Sequence, residues 1–361
     1  MKKVFIFLGF IALSLVALAA CSSNKVDIGI VLPTRDEPRW IQDEQRFKDA
    51  LADTDYSVEI LFSQGSTATE LANVETLISK GIDVLIITAQ DGAAAGAAVE
   101  KAKDEGITVI AYDRLITGTD AVDYYVTFDS VAVGEAQAQY LVDNATGTGN
   151  PLYLYAGAAT DNNAFLFFEG AWNVLQPKIA DGTFVIQNSS EAVAVQANAT
   201  LTRDQQSAII DQITTNWDFN TALNKAQSNL SVTGTAKGDV FILAPNDGTA
   251  RAIADAFADD SEITSYMVTG QDAEIASVQY IIDGKQSMTV FKDVRTLVTD
   301  AIDMAVTVLE GGTPVTTGSY NNGVKDVPAK QTDVVVVDQD NVVAALITSG
   351  YYTEDQFTFP S

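Results

Sequence analysis

The sequence predicts an α/β protein built from two doubly wound parallel-sheet lobes. Short apolar runs alternate with helical patterns along most of the chain. Such alternation is typical of βαβ units, whose parallel strands are covered by helices on both faces. The apolar runs outnumber the strands of a typical open sheet. Because the chain has 361 residues, it is long enough for two domains of ordinary size.

Ten apolar runs are predicted to form strands, because each is short, rich in β-branched or aromatic residues and bounded by polar or turn residues. They are Val26–Leu32, Val58–Phe62, Val84–Thr88, Thr108–Tyr112, Tyr124–Phe128, Leu152–Tyr155, Val240–Ala244, Tyr266–Thr269, Met288–Phe291 and Val334–Val337.

Helical patterns with recognisable starts and stops lie between many of these strands. After Pro38, apolar residues including Trp40 and Phe47 fall on one face at a spacing near 3.6 residues. Asp91 precedes an Ala-rich helix that we expect to end near Gly106. The stretch 188–216 is polar and weakly patterned, so we expect it to be a surface excursion.

Residues 1–20 have the pattern of a bacterial lipoprotein signal peptide. Lys2 and Lys3 precede a run without charge, and small residues stand before Cys21, the only cysteine in the chain. We expect cleavage before Cys21, lipidation of that residue and a short tether over residues 21–25. An ordinary cleavable signal or an N-terminal anchor helix are the alternatives.

The composition excludes several classes of function. The chain has 21 basic and 48 acidic residues, and its formal charge of −27 repels nucleic acid. With no histidine, neither His-based catalysis nor a His-ligated metal site can form. One cysteine allows no internal disulfide and no cysteine metal cluster. The sequence also lacks the Gly-rich phosphate loop of ATPases. We therefore expect no cofactor and no metal.

Polar side chains follow the carboxyl ends of strands in both halves of the chain. Ligands of open parallel sheets bind at that edge. The residues concerned are Arg39 with Trp40, Asp91, Arg114, Asn163, Asn246, Asp272 and Lys292. Two such rims facing one another form a cleft. Carboxylate, amide and cationic groups with aromatic rings suit the paired hydroxyls of a neutral polyol, and a sugar acid stays an open alternative.

Each of these residues also has a purely structural interpretation. Asp91 and Asn163 precede helices and fit helix N-caps. Asp113 and Arg114 fit a solvated surface pair of little energetic weight. Caps alone do not require the cations Arg39 and Lys292, so the set as a whole favours ligand binding.

Nine stretches, in order along the chain, carry a family resemblance. They are 38–41 (PRWI), 80–87 (KGIDVLII), 110–116 (IAYDRLI), 127–129 (TFD), 161–164 (DNNA), 246–249 (NDGT), 269–273 (TGQDA), 288–292 (MTVFK) and 321–328 (NNGVKDVP). With them the chain resembles the periplasmic sugar-binding proteins of ABC importers, in the xylose-binding and multiple-monosaccharide-binding branch.

The resemblance implies the type I periplasmic-binding-protein fold, in which the chain crosses a hinge three times. We expect an N-terminal lobe of residues 26–128 plus about 273–317, and a C-terminal lobe of residues 129–272 plus about 318–361. Crossings are then expected near residues 128–129, near residues 270–272 and between residues 318 and 332.

The resemblance also implies the roles of the site residues. Arg39, Asp91 and Arg114 would bind the ligand from the first lobe. Asn163, Trp217, Asn246, Asp272 and Lys292 would bind it from the second lobe and the hinge. Trp40 and Trp217 would stack on the two faces of the sugar. The acidic residue at position 91 is closer to the broader hexose and pentose binders than to strict xylose binders.

The implied function is capture of a monosaccharide such as xylose or glucose and its delivery to an ABC permease, whose separate ATPase subunits supply the energy. We expect a monomer, not an enzyme, that is exported and held by a lipid on Cys21 at the outer face of the cytoplasmic membrane, or periplasmic. A sugar sensor for a chemoreceptor or sensor kinase is an alternative. A glycosidase that uses Asp91 and Asp272 as acid and base is a second alternative.

Overall fold

The computed structural model describes residues 25–52, 54–232 and 237–359. The expected signal peptide and Cys21 lie outside these residues. Within them, no helix has both the length and the apolar character needed to cross a membrane.

All ten predicted strands are present among the thirteen of the described chain, and three strands (β7, β11 and β12) were not predicted. The strands are β1 (Ile28–Leu32), β2 (Val58–Phe62), β3 (Val84–Ile87), β4 (Thr108–Tyr112), β5 (Tyr124–Phe128), β6 (Asn150–Leu154), β7 (Phe184–Ile186), β8 (Gly238–Leu243), β9 (Ile263–Val268), β10 (Met288–Phe291), β11 (Gly318–Asn321), β12 (Asp326–Thr332) and β13 (Val335–Asp338).

The described α-helices mostly start at Ser, Thr, Asp or Asn side chains that accept a backbone N–H of the first turn. They are α1 (Pro38–Leu51), α2 (Thr67–Ser79), α3 (Gly96–Asp104), α4 (Ser130–Asn144), α5 (Asn162–Ala180), α6 (Ser190–Ala194), α7 (Arg203–Ile213), α8 (Phe219–Leu230), α9 (Asp247–Ala258), α10 (Ile275–Ile282) and α11 (Val294–Leu309). A short π-helical turn, Val343–Thr348, follows β13.

The first lobe contains a seven-stranded sheet with the strand order β11-β12-β5-β4-β3-β1-β2. Its strands pair in parallel except for the β11–β12 hairpin. Helices α2 and α3 pack on one face, and α1 and α11 on the other. The central strands β1 and β3 are wholly buried because both faces are covered, which explains their continuous apolar sequences.

The second lobe contains the parallel sheet β7-β6-β8-β9 and the antiparallel pair β10–β13. A parallel bridge between Gln271 and Val290 connects the chain after β9 to β10. Helices α5 and α7 cover one face of the parallel sheet, and α8 and α9 cover the other. The predicted fold class, two doubly wound parallel-sheet lobes, is confirmed, with antiparallel pairs added at the edges.

Two lobe boundaries differ from expectation. Residues 273–292 were expected in the first lobe, but α10 and β10 pack in the second, where Val278 and Phe291 share a core with Val337. Residues 318–332 were expected in the second lobe, but β12 pairs in parallel with β5 of the first. The chain therefore crosses between the lobes after β5, after β10 and after β12. The second crossing follows residue 291, whereas it was expected near residues 270–272; the third follows residue 332, at the end of the expected range 318–332.

The stretch 188–216 is not the surface excursion that the sequence indicated. It contains α6 and α7, and the apolar face of α7 packs into the second lobe. Ile209, Ile210 and Ile213 are fully buried there. The short length of the apolar stripe explains why its pattern was weak in the sequence.

Candidate ligand-binding site

A pocket of about 310 Å³ lies between the two lobes. Its walls come from the starts of helices and from the loops that follow strands. The lining residues are Glu37, Arg39, Trp40, Asp113, Arg114, Asp161, Asn163, Phe167, Trp217, Asn246, Gln271, Asp272 and Lys292. Eight of the nine predicted binding residues are among them, and Asp91 is not.

Arg39 occupies the first turn of α1, which Pro38 initiates. Its guanidinium is buried and donates to three carboxylates: to Asp43 through Nε at 2.6 Å, to Asp113 through Nη2 at 3.1 Å and to Asp272 through Nη1 at 3.3 Å. Burial opposes the charge, yet these carboxylates together raise the pKa of Arg39 well above its usual value. Arg39 is therefore a fixed cation that joins the first lobe to Asp272 of the second.

Arg114 makes the second charged link between the lobes. It follows β4, and its Nε lies 3.1 Å from Oδ2 of Asp161, the residue that caps α5 in the second lobe. Its Nη2 lies 3.4 Å from Glu37, and its Nη1 donates to the carbonyl of Ala89 at 3.3 Å. The ring of Trp40 is 5.0 Å from this guanidinium, within cation–π distance. Burial opposes the charge of Arg114 as well, but the carboxylates of Glu37 and Asp161 raise its pKa.

The second lobe contributes amide and ammonium groups. Asn163, in the first turn of α5, donates through Nδ2 to the carbonyl of Asp113 at 2.8 Å. Asn246 caps α9. Lys292 directly follows β10, and its Nζ lies 2.7 Å from Asp272 Oδ1. Each of these groups is buried, so the pocket presents a rigid set of oriented donors and acceptors.

Strained backbone is concentrated at this pocket. Six non-glycine residues among those described have a positive φ, and five of them lie in or next to the pocket: Asp113 (62°), Asn216 (53°), Trp217 (60°), Asp272 (99°) and Ala273 (48°). Such conformations cost free energy, and they persist where surrounding contacts enforce them, which is common at functional sites. These residues therefore lower the stability of the folded protein in exchange for fixed side-chain positions in the cleft.

Aromatic surfaces complete the walls. Trp217 meets Phe167 edge to face, with 6.3 Å between the ring centroids. The indole lies against Gly157, where an added Cβ would stand 2.0 Å from its ring atoms. Three buried polar atoms of the lining, Trp40 Nε1, Trp217 Nε1 and Gln271 Oε1, have no hydrogen-bond partner within the described residues. These atoms are available to a ligand. No group of His, Cys, Asp or Glu side chains in the described residues is suited to hold a metal.

The periplasmic binding protein domain family matches residues 28–313 of the chain. This chain belongs to that family. A multiple sugar-binding periplasmic protein, SbpA of Azospirillum brasilense, is 37% identical over 348 residues, which cover 93% of this chain and 92% of the relative. The D-xylose-binding periplasmic protein of Escherichia coli is 31% identical and covers 93% of this chain and 94% of its own length.

Solved structures agree with this assignment. A carbohydrate transporter solute-binding protein from Chloroflexus aurantiacus, in complex with D-glucose, is 70% identical with a TM-score of 0.91. The match covers 92% of this chain and 98% of that protein. An ABC transporter solute-binding protein from Clostridium phytofermentans with bound β-D-glucose is 34% identical with a TM-score of 0.79, covering 91% of this chain and 99% of that one.

In this periplasmic binding protein, Asp91 has a local structural role. Its Oδ1 accepts the backbone N–H groups of Ala93 and Ala94, each at 2.9 Å, and so holds the turn that precedes α3. The next residue, Gly92, donates its N–H to the carbonyl of Thr160 in the second lobe at 2.9 Å. Asp91 therefore lies at the rim of the cleft, and its carboxylate is occupied by its own loop.

The binding protein has five lining residues that were not predicted as ligands: Glu37, Asp113, Asp161, Phe167 and Gln271. Asp113, Asp161 and Gln271 follow strands, so the rule that selected their neighbours could have included them. Glu37 and Phe167 had no comparable signal. The alternative that Asp113 and Arg114 form a solvated surface pair is wrong, because both residues are buried.

Proposed function

We propose that this protein captures a neutral monosaccharide of the glucose or xylose type between its lobes and delivers it to an ABC permease. The observation that carries the proposal is the enclosed pocket, in which both lobes present paired polar groups around aromatic rings. The D-glucose complex of the protein that is 70% identical supports the same ligand class.

Capture follows from the way the two walls are divided between lobes. Each wall alone exposes half of the hydrogen-bonding set to water. A sugar that contacts both walls binds the closed form more tightly than the open form, so it shifts the population toward closure. The ion pairs Arg39–Asp272 and Arg114–Asp161 form only when the lobes approach, and they add to the stability of the closed form.

Delivery would depend on the closed surface, which a permease distinguishes from the open one. ATP hydrolysis would take place in separate subunits. We further propose that the protein acts as an exported monomer with a lipid on Cys21, a proposal supported by the sequence pattern of residues 1–21.

The glycosidase alternative required Asp91 and Asp272 to act on one bond. Only Asp272 lines the pocket, and it is paired with Lys292 and Arg39. A carboxylate held by two cations is an acceptor for sugar hydroxyls, and Asp91, the partner that this alternative requires, lies outside the pocket.

Calorimetric titration of the full chain with D-glucose, D-xylose, D-galactose, L-arabinose and D-ribose tests the proposal. We expect micromolar or tighter binding of one or a few of them. Asp272→Asn should weaken that binding more than tenfold, or about 1.4 kcal/mol. The control Asp259→Asn, at the exposed end of α9 in the same lobe, should leave affinity unchanged. Absence of heat with every sugar would contradict the proposal.

A further inference from the structure

Every cation that lines the pocket is already paired with a carboxylate. Arg39 and Lys292 share Asp272, and Arg39 also contacts Asp43 and Asp113. All three guanidinium nitrogens of Arg39 donate to these carboxylates. Because these pairs are buried, separating one to bind a different anion would leave a buried charge uncompensated.

Arg114 is equally occupied. Each of its three side-chain nitrogens has a partner: Asp161, Glu37 and the carbonyl of Ala89. An incoming carboxylate would have to displace Glu37 or Asp161 from this guanidinium. Neither displacement is favourable unless the released carboxylate can leave the pocket.

Negative charge exceeds positive charge around the cavity. Within the described part of the chain, four carboxylates line the pocket, from Glu37, Asp113, Asp161 and Asp272, and three cations face them. A fifth carboxylate, Asp43, lies behind Arg39. A neutral ligand adds nothing to this imbalance, whereas an anionic ligand increases it at low effective dielectric.

Glu37 is the member of this set that meets an incoming ligand first. Its side chain is 20% exposed, compared with 8% for Asp113 and Asp272 and 4% for Asp161. It also holds Arg114 loosely, at 3.4 Å and 3.5 Å.

We propose that the pocket excludes sugars that carry a carboxylate, such as uronates, and that Glu37 is the residue that determines this specificity. The proposal rests on the proposed function, because it names the charge class of the ligand that the same site accepts. Glu37 acts in two ways: it occupies the face of Arg114 that would bind an acid, and it repels the acid directly.

Three sugars separate charge from size. D-Glucose has the ring and a hydroxymethyl group, D-glucuronate replaces that group with a carboxylate, and D-glucuronamide is the neutral counterpart of the same shape. In calorimetric titration of the full chain at neutral pH, we expect glucuronate to bind at least about 100-fold more weakly than glucose. Glucuronamide should bind at least about tenfold more tightly than glucuronate.

Two variants assign the effect to one residue. Glu37→Gln removes the charge and keeps the size. The gap in affinity, measured as the dissociation constant of glucuronate divided by that of glucuronamide, should therefore shrink at least about fivefold. Asp36→Asn is the matched control, because it removes the same charge from the neighbouring exposed residue, which does not line the pocket. Asp36→Asn should leave the gap unchanged.

The outcomes are distinguishable. If glucose and glucuronate bind the wild-type chain equally, or if glucuronamide is rejected as strongly as glucuronate, charge exclusion is wrong while sugar capture stands. If Asp36→Asn narrows the gap as much as Glu37→Gln does, or neither variant narrows it, Glu37 is not the determinant. If no neutral sugar binds at all, the proposed function itself fails.

Discussion

Replacing Asp161 with asparagine tests whether charged links between the lobes set ligand affinity. Asp161 Oδ1 accepts the N–H of Asn163 at 2.9 Å, which caps α5, and its Oδ2 pairs with Arg114 of the first lobe at 3.1 Å. Asparagine can keep the cap through its own Oδ1. The substitution therefore removes the charge that attracts Arg114 while the start of the helix is preserved.

The size of the effect follows from what Arg114 keeps. Breaking a buried ion pair costs about 3–5 kcal/mol when the remaining charge has no partner. Arg114 retains Glu37 and the carbonyl of Ala89, so we expect about half of that cost, about 1.5–2.5 kcal/mol. Because the pair joins two lobes, the cost falls on the closed form. The dissociation constant for D-glucose should rise about 10- to 60-fold.

Three measurements check this expectation: calorimetric titration with D-glucose, thermal unfolding without sugar, and small-angle X-ray scattering with and without sugar. The melting temperature of the unliganded variant should hardly differ from that of the wild type. The radius of gyration of the variant should fall only at saturating sugar. Asp181→Asn is the control, because it removes an exposed carboxylate that lies 3.7 Å from Lys178 within the same lobe.

An unchanged dissociation constant would refute this reasoning, since the pair would then not distinguish the closed form from the open one. A large fall in the melting temperature of the unliganded variant would also refute it, because the pair would then stabilise a lobe. Weaker binding with unaltered scattering profiles would assign Asp161 to direct contact with the sugar.

Three further predictions use other parts of the structure. Asp91→Asn should change glucose affinity less than about twofold in calorimetry, since the loop cap survives; a tenfold loss would return Asp91 to the site. Gly157→Ala should weaken glucose binding more than about tenfold and alter tryptophan fluorescence, because the added Cβ would stand 2.0 Å from the Trp217 ring. In the control Gly96→Ala, the nearest neighbour of the added Cβ is 3.7 Å away. Equal glucose affinities of the two variants would contradict this packing argument. Burial raises the pKa of Glu70 to about 7 from its usual 4.5, so the folded state binds this proton more tightly than the unfolded state. Protonation of Glu70 therefore stabilises the fold fully at low pH, and this stabilisation is lost as the pH rises through about 7. Glu70→Gln should therefore reduce the fall in unfolding free energy between about pH 5 and about pH 8 by about 2–3 kcal/mol in chemical denaturation, and parallel pH profiles of variant and wild type would show that Glu70 does not titrate in this window.

The strands were predictable because their side chains are buried on both faces. β1 and β3 have no exposed residue, so their sequences are uninterrupted apolar runs. β11 and β12 were missed for the opposite reason. They form the edge of the first sheet, their residues are largely polar, and only Val327 and Ala329 are fully buried. The edge strand β11 has no continuous apolar signal, and β12 joins the sheet by pairing with β5, which is distant in sequence.

The site residues divide in a similar way. The position of Arg39, Arg114, Asp272 and Lys292 at the pocket was predictable, because each lies in the stretch of chain that follows a strand and the three cations are not needed as helix caps. Asp91 satisfied the same rule but does not line the pocket, because an aspartate before a helix is also the preferred cap of its own loop. Sequence spacing alone does not distinguish a carboxylate aimed into a cleft from one that turns back on its backbone.

The sequence by itself determined the alternation of strands and helices, the division into two lobes and the chemical character of the residues at their facing edges. These features follow from local patterns of apolar and polar residues. Only the tertiary structure decided which lobe receives β12, which carboxylates pair with Arg39 and Arg114, and that Glu37 faces the cleft. Those choices depend on contacts between residues far apart in the chain, such as Arg39 with Asp272, and their energies exist only once both lobes have folded and closed.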